Sequence, residues 1–333
     1  MKKSFLKIVI PVIVIFFANS VFSAKTYRIG LVPKSLGNAF FEAVRDGGLE
    51  AAKETGDIKL IFNAPATATA EGQADVIKSL TAQRVDAILI SANDPDALVP
   101  VCKKAMKRKI NVISFDSSVA NEGRMLNIFS ADTKFIAEQE LDLILDAIGS
   151  KGGEIAIVTE TPQSSNQNEW IAEMKKLLKN NPKYKKLKLV EIAYGDALPD
   201  KSYREAISLM NKFPDLKGIL APTTIGIAAS AKAVVDQKKV GKIYVTGLGL
   251  PSEMAPYVNK GAVKSFHLWN PVDLGYAVVK ITHDVLTGKK PKPGVVYDTG
   301  RTGKFTVDKD NTTSMGKPFI FDKSNIDKYA KIF

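Results

Sequence analysis

The chain has 333 residues, of which 45% are hydrophobic and 25% are charged, and its formal net charge at pH 7 is +12. This composition is typical of a soluble globular protein of about two domains, and it excludes disordered, collagen-like and polytopic membrane proteins. The single cysteine, Cys102, excludes an internal disulfide framework and a cysteine-based metal cluster, and the two histidines, His267 and His283, leave little scope for histidine-dependent catalysis.

The first 23 residues have the pattern of a secretory signal peptide. Lysines at positions 2, 3 and 7 precede a run of eleven apolar residues at 8–18, which is too short to span a bilayer. Val21 and Ser23 then place small residues at −3 and −1 of a cleavage site, so we predict cleavage after Ser23 and export of the mature chain. An N-terminal membrane anchor is the alternative, although no cysteine directly follows the apolar run to accept a lipid.

The basic balance of the mature chain indicates a solvated surface. Cleavage removes three lysines and no acidic residue, which lowers the net charge from +12 to +9. The remaining cations form short clusters without interleaved aromatic residues, for example at 103–104, 107–109, 175–176 and 185–186. Together with export, this pattern argues against a nucleic-acid partner. Attraction to an anionic partner or to the envelope surface is the alternative interpretation.

In the first half of the mature chain, short β-branched runs alternate with amphipathic stretches. In chain order the pattern predicts a strand at 27–32, a helix at 39–55, a strand at 59–62, a helix at 72–84, a strand at 87–91, a helix at 95–108 and a strand at 112–115. The third helix is expected to carry Pro95 in its first turn. Strands separated by helices of this length favour a parallel sheet with helices on both faces.

The same alternation restarts near Ala131. It predicts a helix at 133–148, a strand at 155–158, a helix at 166–178, a strand at 188–192, a helix at 201–213, a strand at 218–221, a helix from about 225, and strands at 244–247 and 265–269. A further helix includes 278–286. From Gly288 onward the sequence predicts only irregular structure and one short helix at 325–331.

The predicted fold class is therefore α/β, with two doubly wound parallel-sheet lobes joined by a hinge. We expect the N-terminal lobe to comprise residues 24–130 plus about 271–300. The C-terminal lobe is expected to comprise residues 131–270 plus about 301–333. The chain would cross between the lobes near 131–133, 270–272 and 298–303.

Polar and aromatic residues follow the predicted strands, at the edge of the sheet where open α/β folds bind ligands. A carboxylate can accept hydrogen bonds from two neighbouring hydroxyl groups, amides can bind the remaining hydroxyls, and aromatic rings can cover C–H faces, so this mixture suits a sugar. The candidate ligand-binding residues are Lys34, Asn38, Phe40, Phe41, Asn93, Asp116, Asn166, Gln167, Pro222, Thr223, Thr224, Gly249, Trp269 and Asn270.

Several of these residues have a structural alternative. Phe40 and Phe41 are equally compatible with a core position, Asn38 with a helix cap, and Pro222 with a turn. Trp170, one turn into its predicted helix, is expected in the core. Asp116 is the strongest candidate, because a carboxylate at the end of a buried strand needs partners.

The sequence lacks the motifs of the common enzyme classes. It has no G-x-S-x-G elbow, no H-E-x-x-H motif, no Walker loop and no G-x-G-x-x-G after the first strand, and both histidines are expected to be structural. We therefore expect no enzymatic activity, no cofactor and no metal. A secreted sugar-modifying enzyme that uses Asp116 with Glu160 is an alternative. A ligand-responsive transcription regulator is disfavoured because the strand at 27–32 follows the cleavage point too closely for a helix-turn-helix.

Several segments together resemble one protein family: RIGLVPKSLGNAFF, SANDPDALVP, SFDS, SSNQNEW, LAPTTIG and GLGLPSEM. They are similar to the type I, ribose-binding-like class of periplasmic sugar-binding proteins of ABC importers, and the resemblance covers essentially the whole mature chain. Ribose-type members share an Asn-x-Phe-Phe motif, matched here by Asn38, Phe40 and Phe41. They also share an aspartate after the fourth strand, matched by Asp116.

Within that class, the chain resembles the branch of rhamnose-binding proteins and the autoinducer-2-binding receptor. The receptor's pattern is matched at Lys34, Asp116, Gln167 and Pro222. The chain departs from it where Asn166 replaces an aspartate and where Thr224 replaces an alanine. An amide in place of a carboxylate changes which hydroxyl groups can be bound, so the resemblance favours the rhamnose-binding members.

The resemblance implies a solute-binding component of an ABC transporter. Such a protein would capture a monosaccharide, best L-rhamnose or a similar deoxyhexose, in a cleft between its lobes and deliver it to a permease in the inner membrane. Autoinducer-2 or a pentose is the alternative ligand. We expect the protein to be a monomer.

Overall fold

The computed structural model describes residues 25–332. The predicted signal peptide, residues 1–23, lies outside the described residues. Within 25–332, none of the helices combines the length and the apolar character that a bilayer crossing requires.

The first lobe is built on a parallel sheet of six strands in the order β13-β5-β4-β3-β1-β2. Helices α1 and α9 cover one face of it, and α2 and α3 cover the other. The strands are β1 Tyr27–Val32, β2 Ile58–Phe62, β3 Ala87–Ile90, β4 Asn111–Phe115, β5 Leu126–Phe129 and β13 Thr312–Ser314, and the helices are α1 Ala39–Thr55, α2 Ala70–Ala82, α3 Val99–Lys107 and α9 Pro271–Leu286.

Alternation of side chains along the central strands explains why both faces are covered. Ile29 of β1 and Leu89 of β3 lie in the large hydrophobic core that includes α1 and α9. Ile88 and Ile90 of β3 lie in a separate core with α2 and α3. Because successive strand residues point to opposite faces, a continuous apolar run needs helices on both sides.

The second lobe is built on a four-stranded parallel sheet in the order β7-β6-β8-β9. Strand β10 joins its edge through a parallel bridge between Leu248 and His267. The elements are α4 Thr133–Ile148, β6 Gly153–Thr159, α5 Ser165–Asn180, β7 Leu187–Tyr194, α6 Pro199–Lys212, β8 Leu216–Ala221, α7 Thr224–Asp236, β9 Tyr244–Gly247, α8 Pro251–Asn259 and β10 Ser265–Leu268. Two lobes of this kind confirm the predicted α/β fold class.

Helix α9 returns the chain to the first lobe, where it packs on α1 with the two backbones in contact. A Cβ atom on Gly275 would lie 1.8 Å from the carbonyl oxygen of Val44, and one on Gly47 would lie 1.8 Å from that of Val272. Only glycine allows two helices to approach this closely, so these two residues fix how α9 lies on the first lobe.

The C-terminal segment contains four short strands that the sequence analysis missed. Strand β11 (Val296–Asp298) pairs with β12 (Lys304–Thr306), β13 extends the first sheet beside β5, and β14 (Phe319–Asp322) pairs with β10. Helix α10 (Ile326–Tyr329) follows.

This pairing corrects the assignment of residues 301–314 to the C-terminal lobe, while Phe319–Asp322 does pair with that lobe. Because Thr312–Ser314 hydrogen-bonds to the first sheet and Phe319–Asp322 to the second lobe, the chain crosses between the lobes at 315–318 and not at 298–303. The hairpin of β11 and β12 precedes that crossing.

The third helix also begins later than predicted, at Val99 instead of Pro95. The Asp94 side chain accepts hydrogen bonds from the backbone N–H groups of Asp96 and Ala97, each at 2.9 Å. This local turn holds residues 94–97 out of the helix.

Candidate functional site

The carboxyl ends of the strands of both sheets face a common, narrow cavity between the lobes, with a volume of about 40 Å³. Eleven of the fourteen predicted ligand-binding residues line it. They are Lys34, Asn38, Phe40, Phe41, Asp116, Asn166, Gln167, Pro222, Thr223, Thr224 and Trp269, and they are joined by Glu160, Trp170, Leu248 and Leu268.

One polar cluster spans the cavity from lobe to lobe. Lys34 follows β1 of the first lobe, and its Nζ lies 2.5 Å from Oε2 of Glu160, which follows β6 of the second lobe. Asn166 Nδ2 donates to Asp116 Oδ1 at 3.3 Å, and Asn166 Oδ1 lies 3.4 Å from Lys34 Nζ. All four side chains are buried, so these groups depend on one another, or on a bound ligand, for hydrogen bonds.

Asp116 is held at the end of β4 by the first lobe itself. Its carboxylate accepts hydrogen bonds from Ser91 Oγ at 2.8 Å and from Ser130 Oγ at 3.2 Å. Its backbone has a φ of +57°, in the left-handed region that few non-glycine residues adopt. Burial raises the pKa of Asp116 above its ordinary value, although the Lys34 ammonium and the serine hydroxyls oppose the shift. Such strain and desolvation are typical of a functional position.

Glu160 is a site residue that the sequence analysis did not include among the ligand-binding candidates. Besides Lys34, its Oε2 accepts hydrogen bonds from Ser164 Oγ at 2.7 Å and from Gln167 Nε2 at 3.1 Å. Glu160 therefore supplies a second carboxylate at the site, where Asn166 carries an amide in place of the aspartate of the receptor pattern. The signal in the sequence was its position directly after β6, which matches the position of the other candidates after their strands.

Gln167 has fewer free hydrogen-bonding groups than the sequence suggested. Its Oε1 accepts from Thr159 Oγ1 at 2.6 Å and from the backbone N–H of Glu160 at 3.0 Å. With Nε2 donating to Glu160, one N–H is left for a ligand. Gln167 therefore acts largely by orienting Glu160.

Aromatic rings form a second wall of the cavity. Trp269 contacts Phe40 edge to face at a centroid distance of 6.0 Å, and it contacts Trp170 at 6.1 Å. The indole Nε1 of Trp269 is buried and finds no hydrogen-bond partner among the residues that the structure describes. A buried, unpartnered donor on a residue that lines the cavity is a candidate donor to a ligand. Trp170 was expected in the core; it is buried and also lines the cavity.

Three predicted ligand-binding residues do not line the cavity, because their polar groups or their packing serve the local structure. Asn93 Nδ2 donates to the backbone oxygen of Lys34 at 2.8 Å, so it positions that residue from behind. Asn270 caps α9 by accepting from the backbone N–H groups of Val272 and Asp273. Gly249 lies against Met254 and Phe266.

Asn38 has both roles that the sequence left open. Its Oδ1 caps α1 by accepting from the backbone N–H of Phe40 at 2.9 Å, and the residue also lines the cavity.

Each histidine contacts a carboxyl group away from the cavity lining. His267 Nε2 lies 3.4 Å from Glu140 Oε1 in the core of the second lobe, and His283 Nε2 lies 3.0 Å from Asp57 Oδ2. Over residues 25–332, no group of three or more His, Cys, Asp or Glu side chains is arranged to hold a metal ion.

The fold and the sequence are similar to those of known solute-binding proteins. An ABC transporter solute-binding protein from Clostridium phytofermentas, solved with bound L-rhamnose, is 34% identical, with a TM-score of 0.85 over 93% of this chain and 100% of the other. A sugar ABC transporter protein from Actinomyces odontolyticus is 36% identical, with a TM-score of 0.73 over 92% and 99% of the two chains. The D-ribose/D-allose-binding protein of Pseudomonas aeruginosa is 26% identical over 71% of this chain and 75% of its own length.

The sequence pattern of the periplasmic binding protein domain matches residues 29–290, which include most of both lobes and all of the cavity lining. The match and the shared fold place the chain among binding proteins of type I and not among enzymes. The protein is therefore a member of the periplasmic binding protein family.

Proposed function

We propose that this protein is the solute-binding component of an ABC importer and that it encloses a monosaccharide, L-rhamnose or a similar deoxyhexose, between its lobes. The observation that carries the proposal is the pairing of two walls in one cavity. A charged and amide-rich wall carries Asp116, Glu160 and Lys34, and an aromatic wall carries Trp170 and Trp269.

The two walls match the two kinds of surface on such a sugar. Hydroxyl groups would donate to the carboxylates of Asp116 and Glu160 and accept from the ammonium of Lys34. The aromatic rings would cover the C–H face and the methyl group of a deoxyhexose, and Trp269 Nε1 would donate to one further oxygen. The L-rhamnose bound by the similar Clostridium protein supports this choice of ligand.

Binding would couple to closure of the lobes. Lys34 and Asp116 belong to the first lobe, while Glu160 and Asn166 belong to the second, so a ligand that contacts all four bridges the two lobes. Rotation of the lobes about the crossing segments would exclude water, which strengthens each hydrogen bond and penalises a sugar that leaves a buried group unpaired. The closed protein would then present the rims of both lobes to a membrane permease.

The proposal also includes export of the protein to the compartment where the permease would receive the sugar. We infer that residues 1–23 are a signal peptide cleaved after Ser23 and that the mature chain acts as a periplasmic monomer. Mass spectrometry of protein recovered from the periplasm would test this, with Ala24 expected as the first residue. Retention of residues 1–23 in a membrane fraction would favour the anchor instead.

A ligand screen tests the function itself. In a thermal-shift and calorimetry panel, L-rhamnose should raise the melting temperature most, because a ligand that binds only the folded state stabilises it by mass action. The panel should include L-fucose, D-ribose, D-arabinose, D-allose and autoinducer-2. A clear preference for autoinducer-2 or a pentose would replace the proposed ligand, and no response to any sugar would refute the function.

A further inference from the structure

A second cavity, here called the basic cavity, lies in the second lobe at the end of the sheet opposite the sugar cavity. Its walls come from the carboxyl-terminal end of α4 and from the segments where β8 and β9 begin, at Leu216 and Tyr244. Its volume is about 470 Å³, which lies in the range of small-molecule binding sites. It shares no lining residue with the sugar cavity.

Four lysines line the basic cavity: Lys217, Lys239, Lys242 and Lys264. All four are exposed, and in the described part of the chain none of them forms an ion pair with an acidic side chain. The lining includes no aspartate or glutamate, although many other lysines of this protein are paired. The cavity therefore combines a concave shape with positive charge that the protein itself does not neutralise.

One of the lysines is held in place. Lys264 Nζ donates to the backbone oxygen of Ala147 at 2.6 Å, at the end of α4, and lies 4.4 Å from the ring centroid of Tyr244. The ammonium therefore offsets the negative end of the α4 dipole at the cavity wall. The other three lysines are left with their full hydrogen-bonding capacity in the described structure.

The charge and the shape together select a class of ligand. A concave surface of one charge sign concentrates the field and attracts counter-ions. Ammonium groups bind phosphate and sulfate oxygens as point charges with several donors each. Four ammonium groups around one cavity carry more positive charge than a single carboxylate can neutralise. The geometry therefore favours an anion with several charged groups.

We propose that the basic cavity is a second binding site, separate from the sugar cavity, for a compact anion that carries two or more phosphate or sulfate groups. The group bound is either part of a soluble molecule or the exposed phosphate of a membrane lipid. Both sources share the same recognition chemistry.

Titration calorimetry with inorganic tripolyphosphate tests the site on the mature protein. Wild-type protein should bind one equivalent, and the double variant K217E/K242E should bind at least tenfold more weakly. The matched control is K103E/K104E, which changes the net charge equally at two exposed lysines of α3 that line none of these cavities. It should bind within twofold of wild type, because screening limits the effect of distant charges.

A parallel sedimentation assay distinguishes the two sources. If lipid phosphate is the ligand, vesicles of phosphatidylglycerol should pull down wild-type protein and tripolyphosphate should compete, whereas phosphatidylcholine vesicles should not bind. If the ligand is soluble, tripolyphosphate binds and both kinds of vesicle fail.

Two results would overturn the proposal. One is that tripolyphosphate and phosphatidylglycerol vesicles both fail to bind wild-type protein, and the other is that the two double variants lose affinity equally, which indicates diffuse attraction to a basic protein. The unfolding midpoint of each variant without anion checks its fold. If K217E/K242E is unfolded, K239E in the exposed turn after α7 takes its place, with K103E as its matched control, and it should bind more weakly than that control.

Discussion

Replacement of Glu160 by glutamine would test whether the polar cluster joins the two lobes around the ligand. The variant keeps the size of the side chain and one acceptor oxygen, but it removes the negative charge that lies 2.5 Å from the Lys34 ammonium. Since Lys34 belongs to the first lobe and Glu160 to the second, this pair joins the two lobes across the cavity. The loss should therefore appear in ligand affinity and not in the unfolding of either lobe.

The magnitude follows from the partners of Glu160. Its Oε2 accepts three hydrogen bonds, from Lys34, Ser164 and Gln167, and a hydrogen bond to a charged group contributes about 1.5–3 kcal/mol. Removal of one partner of a fully buried pair costs about 3–5 kcal/mol, but Asp116 remains near Lys34 and compensates part of the charge. We therefore expect about 1.5–3 kcal/mol, a rise in Kd of about tenfold to 150-fold.

Isothermal titration calorimetry with L-rhamnose, or with the tightest ligand of the screen, measures this change. The matched control is Glu154→Gln, which breaks the surface ion pair of Glu154 with Lys188 at 2.9 Å. Surface pairs of this kind contribute about 0–1 kcal/mol to stability, and this one lies outside the cavity lining, so the Kd should stay within twofold. A Glu160→Gln protein that binds as tightly as wild type would refute the role of the interlobe pair.

Three further predictions concern other parts of the structure. Trp269→Phe keeps an aromatic ring on the cavity wall but removes the unpartnered Nε1–H, so calorimetry should show a loss of about 0.5–1.5 kcal/mol of sugar binding, and unchanged affinity would mean that the indole makes no hydrogen bond to the ligand. Gly275→Ala places a methyl group 1.8 Å from the Val44 carbonyl oxygen, so urea unfolding should show that the free energy of unfolding falls by about 1–3 kcal/mol. A variant as stable as wild type would contradict the close helix contact. Burial raises the pKa of Glu140 above its ordinary value, which its contact with His267 opposes only in part. The stability that Glu140 contributes is therefore present below about pH 4.5 and is lost as pH rises through its raised pKa. Relative to wild type, Glu140→Gln should gain stability between pH 4.5 and pH 8 in urea titrations, and a constant difference would contradict the shift.

Features that depend on local sequence were predictable. The boundaries 39–55 and 133–148 were predicted at the residues where α1 and α4 begin and end. Both helices have an unambiguous cap, with Asn38 and Asp132 accepting a backbone hydrogen bond at the start of each helix. Asp116 was found because a carboxylate at the end of a buried strand has few purely structural explanations.

Features that depend on distant contacts were not predictable. The role of Glu160 rests on Lys34, which is 126 residues away in the chain. The three-residue strand at Thr312–Ser314 exists only because the edge of β5 is available to pair with it. Conversely, Asn93 and Asn270 have the expected residue type at the expected strand ends, but their side chains form hydrogen bonds to nearby backbone groups.

A crystal structure of the mature protein grown with L-rhamnose tests the central claim most directly. One sugar should lie between the lobes, with its hydroxyl groups within hydrogen-bond distance of Asp116 and Glu160 and one face against Trp269. A sugar bound outside this cavity, or contacts confined to one lobe, would contradict the account.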